Sequence, residues 1–356
     1  MAVYTPLSTE QVREFLNHYD LGELVAFQGI AEGVENSNFL LQTTRGRFIL
    51  TLFERRMDPA ELPWFLELMG RLSARGLSCP QPIADRTGRT LSQLAGKPGV
   101  IVSFLPGSSQ AHPDAWACRA VGRALAELHE AGKGMGARAN RLGPEAWPVL
   151  LEACGDGKGG ESAEFSALQA EAGQALSRLL PAWPKPEALP RGQIHADLFP
   201  DNVFFLSDAY ERRLSGVIDF YFACTDFLTY DLAIVLNAWC FEEADAAESR
   251  SGGSSEGRVI FRPDKAAAVL EGYESLRPLE PAERAALPVL CQGAAMRFLL
   301  TRLYDWTHTP PDAQVTRKDP WAYAERLRHF MRLSPQAFSL PVETGLKDGG
   351  GREVKA

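Results

Sequence analysis

Lysine is scarce in this chain. The 356 residues hold eight, and the first is Lys97, so the N-terminal quarter has none. Cysteine is scarce too. Its six residues (Cys79, Cys118, Cys154, Cys224, Cys240 and Cys291) include no Cys-x-x-Cys pair, which excludes a zinc framework and a disulfide scaffold. Long apolar runs are missing: the longest strongly apolar stretch, AIVLNAWCF at 233–241, is about half a membrane span. The opening residues, MAVYTPLSTEQVREF, lack a basic stretch followed by an apolar one, so no secretory signal is expected. Positive charge is in deficit, with 37 Lys+Arg against 45 Asp+Glu and a net charge of −8. An acidic chain has no broad basic face for nucleic acid or an anionic membrane, although a local basic pocket stays possible. These absences predict a reducing, cytoplasmic protein with neither of those partners.

What is present can fill a core: 45% of residues are hydrophobic and 23% charged. The length corresponds to about two domains. Residues 1–105 read as a small α/β unit. Ser8 and Gln11 form a capping box ahead of a helix, and LVAFQGIAEG, NSNFLLQTT and RFILTLFE read as an antiparallel meander. Asp58-Pro59 opens a second helix, with Glu61 three residues beyond the cap and a buried face at Leu62, Phe65, Leu66, Met69 and Leu72. Two further strand-like runs follow, expected to be joined by a Gly-Lys-Pro-Gly turn at 96–99. From about residue 106 to 340 the pattern is helical, interrupted by one β-rich island, GQIHADLFPDNVFFL and LSGVIDFYF. Polar, Gly/Ser-rich stretches at 155–162 and 242–258, and the tail 341–356, are expected to be mobile. The expected class is therefore α+β, a β-rich small lobe ahead of a larger helical one.

The densest polar constellation is His195-Ala196-Asp197-Leu198-Phe199-Pro200-Asp201-Asn202, and Ile218-Asp219-Phe220 closes an apolar strand downstream. Phosphoryl transfer asks for such a set. One carboxylate orients the acceptor hydroxyl and takes its proton, while an amide oxygen and a second carboxylate hold Mg²⁺ against the phosphates. A turn-and-cap role is the plainer reading of one Asp-x-x-x-x-Asn alone. The second carboxylate, on a strand at the right distance, favours catalysis.

His-x-Asp-x-x-x-x-Asn followed by Ile-Asp-Phe, then Asp226…Tyr230-Asp231-Leu232-Ala233, resembles the aminoglycoside phosphotransferase-like branch of the bilobal protein-kinase-like fold. Ala196 replaces the kinase arginine and Tyr221 the glycine after Asp-Phe. Within that branch, GVENSNFLLQTTRGRFILTLFE, IHADLFPDNVFFL and GVIDFYFACTDFLTYDLAIVLNAWCFE are similar to the homoserine kinase family. The resemblance implies transfer of the ATP γ-phosphoryl group to the side-chain hydroxyl of L-homoserine, a small-molecule acceptor. It implies Asp197 as base, Asn202 and Asp219 as Mg²⁺ ligands, and His195 as a structural residue braced by Asp231. Kinases of other acceptors (choline, methylthioribose or an aminoglycoside) and a catalytically silent binding module are the alternatives.

For ATP, the resemblance points to Gly33, Asn36, Ser37 and Asn38 at the phosphates and to Ser103, Phe104 and Leu105 at the adenine. Two glycines in a hairpin, or a buried strand entering a linker, would also explain these segments. The third strand departs from the pattern: Thr51 stands where kinase-like proteins commonly carry a phosphate-binding Lys or Arg. Three accounts compete, namely Arg47, Arg55 or Arg56 reaching in, a hydrogen bond from Thr51, or reliance on backbone and metal. A neighbouring arginine is the preferred one. A homoserine carboxylate and ammonium would call for a guanidinium and for acidic or aromatic groups. Arg297, Arg302, Asp305 and Trp239 are the candidates, with surface ion pairs as the plainer role. Trp306 and Trp321 are expected in the core.

Overall fold

The structure is a computed structural model that describes residues 4–30, 36–54, 58–155, 162–207, 211–243, 259–309, 317–334 and 337–338. Gly33, Arg55, Arg56 and the tail lie outside the described residues, as do most of the two Gly/Ser-rich stretches. Helix α1 (Thr9–Leu16) starts with the Ser8/Gln11 capping box in place. Strands β1 (Leu24–Gly29), β2 (Ser37–Thr43) and β3 (Gly46–Leu52) form the meander, helix α2 (Leu62–Ala74) follows, and β4 (Ser92–Leu94) and β5 (Lys97–Ser103) complete an antiparallel sheet of order β1-β2-β3-β5-β4.

The β4–β5 turn differs from the expected Gly-Lys-Pro-Gly. It consists of Ala95 and Gly96, at φ 50° and 73°, between the paired residues Leu94 and Lys97. Two successive positive φ values make the two-residue hairpin whose twist matches the strands, so the strand starts at Lys97 and Pro98 lies inside it.

Alternation along the strands assigns the sheet two faces. Phe39, Leu41, Leu50, Leu52 and Ile101 pack with Val12, Phe15 and Leu16 of α1. The opposite face, with Val100 and Val102, joins α2 and the helices beyond it in one continuous core. Asn38 and Thr51 face each other across β2 and β3 on that second face, which looks into the cleft.

Beyond residue 106 come α3 (Ala115–Gly132), α4 (Trp147–Ala153) and α5 (Ala163–Ala182), then β6 (Arg191–Ile194), β7 (Val203–Ser207), β8 (Arg212–Val217) and β9 (Cys224–Phe227). The chain continues with α6 (Leu228–Trp239), the short pair β10 (Phe241–Glu243) and β11 (Val259–Phe261), α7 (Pro263–Glu274), α8 (Pro281–His308) and α9 (Trp321–Arg332). The island resolves into two antiparallel pairs, β6 with β9 and β7 with β8. Helices α3 and α7 approach so closely that a Cβ at Gly122 would lie 2.1 Å from the Val269 carbonyl oxygen, and one at Gly272 2.0 Å from that of Arg119. That contact seats Tyr273 of α7 against His129 of α3, at a ring separation of 5.6 Å. Trp306 and Trp321 meet edge to face, partly buried.

Candidate active site

The loop 195–198 is held by side chains at nearly every backbone group. Asp231, fully buried in the first turn of α6, accepts the His195 N–H at 2.6 Å and the Ala196 N–H at 2.8 Å. The Asp197 N–H donates to His195 Nδ1 at 3.3 Å, leaving Nε2–H to donate to the Ile218 carbonyl at 3.0 Å. Three successive carbonyls are capped in turn: Ala196 by Arg297 Nη1, Asp197 by Asn202 Nδ2 at 2.8 Å, and Leu198 by Trp239 Nε1 at 2.8 Å. This bracing sustains a left-handed backbone at Ala196 (φ 63°), a conformation that costs a non-glycine residue roughly 1–3 kcal/mol.

The bracing fixes where the chemistry-bearing atoms stand. The Asp197 carboxyl sits above the ordinary carboxylate range because burial disfavours its charge, although Arg297, His195 and Lys318 work against that rise. It remains the group on this loop able to take a proton. Burial also pushes His195 down, against the pull of Asp231 and Asp197, which favours the neutral imidazole whose two ring nitrogens meet backbone groups. Asn202 spends its amide N–H on the Asp197 carbonyl, which leaves Oδ1 as the atom able to ligate a cation. The Asn202 carbonyl accepts from Ile218 N–H at 3.0 Å, joining this loop to the residue before Asp219. Asp219 is exposed in a left-handed conformation (φ 65°) at the end of β8. An amide oxygen and a carboxylate on linked backbone segments are hard oxygen donors that fit Mg²⁺.

A second layer stands behind Asp231. His129 Nε2 lies 3.2 Å from Asp231 Oδ2, and His129 Nδ1 lies 2.8 Å from the Tyr273 hydroxyl. Arg277 donates to that hydroxyl and pairs with the buried Glu283, which also accepts from Thr229. Burial raises the Asp231 carboxyl, but His129 and His195 outweigh it and hold the group below its ordinary value.

The roof of the cleft carries neutral groups where a cation was expected. Thr51 donates to Asn38 Oδ1 at 2.7 Å, and its hydroxyl lies near the Tyr221 phenol. Tyr221 reaches up from the segment after Asp219, its ring 5.3 Å from Phe53 and 5.8 Å from Phe65. Arg47 is not the missing cation. It lies over the Phe104 ring, 4.1 Å from its centroid, at the other end of β3. The chain's first lysine, Lys97, pairs with Glu54 at 2.9 Å on the α1 side of the sheet. Glu61 pairs instead with Arg138 and Arg141, at 2.7 and 2.6 Å.

The phosphotransferase enzyme family model matches residues 26–279. The homoserine kinase of Gluconobacter oxydans (strain 621H) is 58% identical over 335 residues, covering 94% of this chain and 99% of that protein. That of Gluconacetobacter diazotrophicus is also 58% identical, covering 92% of this chain and 96% of its own length. This chain belongs to the homoserine kinase family. Among solved structures, a microcompartment-associated aminopropanol kinase superposes with a TM-score of 0.59 at 19% identity, covering 91% of this chain and 94% of its own. A choline kinase from Cryptosporidium parvum gives 0.59 at 14%, covering 91% and 94%. Those two likenesses show the fold: mixed α/β, with an antiparallel N-terminal sheet and a helical remainder. The family to which the chain belongs is one of ATP-dependent small-molecule kinases.

The remaining expected site residues of this homoserine kinase family chain fall in several places. Asn36 accepts weakly from the Glu54 N–H at 3.4 Å. Ser37 turns its side chain away from that of Asn38. Its hydroxyl points to the α1 side, accepts from the Tyr4 and Thr5 N–H groups and donates to Glu54. Ser103 is similarly occupied, accepting the Gln81 N–H at 2.9 Å. Leu105 packs over Gly216, where a Cβ would meet it at 2.6 Å, closing the seam between the strand exit and β8. Arg297 and Trp239, expected at the acceptor, are buried and hold loop carbonyls. Asp305 is exposed near the end of α8 on the side of Cys154, whose thiol its charge helps to raise. Arg302 lies within electrostatic reach of Asp197. Three residues escaped sequence reasoning: Lys318 beside the catalytic loop, His129 behind Asp231, and Tyr221 beside Thr51. A lone lysine in a lysine-poor chain was the available sign for the first. Tyrosine in place of a glycine was the sign for the last.

Proposed function

We propose that the protein is a homoserine kinase, transferring the γ-phosphoryl group of ATP to the side-chain hydroxyl of L-homoserine. The observation that carries this reading is the loop 195–202. Asp231, Arg297, Asn202 and Trp239 immobilise its backbone while Asp197 is kept as a carboxyl poised for proton transfer. The several homoserine kinases at 50–58% identity over nearly the full chain support the choice of acceptor.

Asp197 orients the acceptor hydroxyl and takes its proton as the oxygen attacks the γ-phosphorus in line. Asn202 Oδ1 and the Asp219 carboxylate would hold Mg²⁺, which when bound would supply neutralisation of phosphate charge. Tyr221, Thr51 and Asn38 form the polar lining of the roof above the phosphates, and the strand exit at 103–105 borders the adenine. Residues 1–105 act as the nucleotide lobe and 106–340 as the catalytic and acceptor lobe. Biosynthetic use of ATP fits the cytoplasm, and among the described residues no helix is long and apolar enough to cross a membrane.

ADP release coupled to an indicator reaction, measured with L-homoserine, choline, methylthioribose, serine and an aminoglycoside, tests the reading. L-Homoserine is expected to give the highest kcat/KM. Preference for a cationic acceptor, or no release with any hydroxyl compound, would overturn it.

A further inference from the structure

Three cations gather around the catalytic loop without a carboxylate ion-pair partner among the described residues. They sit on three linked aromatic rings. Phe199 meets Phe298 edge to face at 4.9 Å, and Phe298 meets Tyr323 at 5.3 Å. Lys318 Nζ is 5.6 Å from the Phe199 centroid, the Arg297 guanidinium 4.6 Å from that of Phe298, and the Arg302 guanidinium 4.3 Å from that of Tyr323. In a chain of net charge −8, many described arginines and lysines form ion pairs, from Arg45–Asp20 to Arg328–Glu171. Positive charge left without a carboxylate on aromatic faces beside Asp197 is suited to an anion from outside.

The three are not equivalent. Arg297 is 2% exposed and already donates to the Ala196 carbonyl, so it belongs to the loop. Arg302 spends one Nη on the Asp319 carbonyl at 2.8 Å and keeps its other donors, with its plane steadied over Tyr323. Lys318 makes no salt bridge among the described residues and rests on Phe199, two residues from Asp197. Asp201 and Asp319 act on Arg302 at a distance, and neither forms an ion pair with it.

We propose that Arg302 and Lys318 together bind the α-carboxylate of an amino-acid acceptor, fixing the direction from which its hydroxyl reaches Asp197. This rests on the reading of the protein as a kinase of L-homoserine, and it names the part of the acceptor that these two side chains recognise. A guanidinium steadied in plane can offer two parallel N–H groups to a carboxylate, and an ammonium beside it adds a second point of charge. Aromatic faces beneath both keep the cations in place before the acceptor arrives. The same arrangement repels an acceptor that carries an ammonium and no carboxylate.

The decisive comparison is L-homoserine against 3-aminopropan-1-ol, which is homoserine without its carboxylate. In R302M and K318M the KM for L-homoserine is expected to rise about tenfold each, the scale of one lost charge-assisted hydrogen bond. The loss falls on KM more than on kcat, and the preference for L-homoserine over 3-aminopropan-1-ol shrinks by a similar factor. K318R is expected to restore much of the preference. Wild-type protein supplies an independent readout: L-2-aminobutyrate, which has the carboxylate and no hydroxyl, should protect Lys318 from acetylation followed by mass spectrometry, whereas propylamine should not. A wild type active on L-homoserine whose preference survives both substitutions, or whose Lys318 is unprotected, would overturn the carboxylate subsite alone. A wild type that releases no ADP with L-homoserine would overturn the functional reading and this subsite with it.

Discussion

The floor and the roof of the cleft solve the same problem with opposite means. On the floor, charged and polar side chains from distant elements converge on four residues, with Asp231 from α6, Arg297 from α8 and Trp239 from the end of α6 each taking a backbone group of 195–198. On the roof, the strand face carries hydroxyl and amide groups, and the cation expected at position 51 is replaced by a contact with Tyr221. The floor is braced because most of its backbone groups are buried and hydrogen-bonded by side chains, although Arg297 Nε has no hydrogen-bond partner among the described residues. Tyr221, packed between Phe53 and Phe65, joins the roof to the floor. On the proposed reading, catalytic positioning is concentrated below, and the described side chains above, Asn38, Thr51 and Tyr221, are neutral.

The sharpest way to break this contrast is at Asp197. D197N is expected to lower kcat by roughly 10²–10⁴-fold, the range for a positioned acid–base group, with the thermal unfolding midpoint little changed. A variant with near-normal turnover under saturating ATP and acceptor would move the chemistry off the floor. Next in size comes Asp231. D231A leaves two buried N–H groups and His129 without their partner, so an unfolding free energy lower by about 3–5 kcal/mol is expected in urea titration.

The same residue sets a pH signature. The folded Asp231 carboxyl lies below its ordinary value of 3.8, so its contribution to stability is in full force above that value and is lost as pH falls through the lower, folded one. The stability gap between wild type and D231N is therefore expected to be widest near neutrality and to narrow below about pH 4. Urea titrations at pH 7, 5, 4 and 3 would read it. A gap that widens on acidification would mean that Asp231 is protonated in the native protein.

What could be read in advance follows the distance over which each interaction acts. Asp197, Asn202 and Asp219 lie close along the chain and are bounded by apolar strand residues, so the backbone link that joins the Asn202 carbonyl to Ile218 was legible from spacing. The antiparallel meander and the Ser8/Gln11 box were legible for the same reason. Arg297 and Trp239 were misjudged because the carbonyl each one meets lies 101 and 41 residues away, and helical spacing says nothing about that. Ser37 and Asn38 differ by one residue, and one residue in a strand decides the face. The sequence pattern had no means of placing Ser37 beside α1 and Asn38 in the cleft. Lys318 lies on a short stretch before α9 with no motif of its own, and only the fold brings it to Phe199.

A smaller effect tests the roof. Y221F and T51V each remove one hydroxyl from the roof while keeping the ring stack or the strand, so the KM for ATP is expected to rise about five- to tenfold, the scale of one polar contact to the nucleotide worth ~1 kcal/mol. Initial rates at varied ATP under saturating L-homoserine would measure it. An unchanged KM in both variants would leave the roof's nucleotide contacts to the backbone.

The smallest effect is expected at Glu61, and its smallness is informative. In kinase-like proteins an acid on this helix would be sought as the partner of a third-strand lysine. Here Glu61 binds Arg138, which also donates to the Ala223 carbonyl and stacks on Phe65, while Trp64 donates to the Gly136 carbonyl. Helix α2 is thereby fastened to the segment 133–141 and to the residues after Asp219, that is, to the floor. Glu61 and Arg138 are partly solvent-exposed, at 21% and 14%, so E61Q should cost about 1 kcal/mol of stability. The KM for ATP should stay within about twofold of wild type, since no phosphate-binding cation depends on this carboxylate. A rise as large as that of Y221F would show that α2 transmits position to the nucleotide after all, and the separation of floor from roof would then have to be redrawn through Arg138.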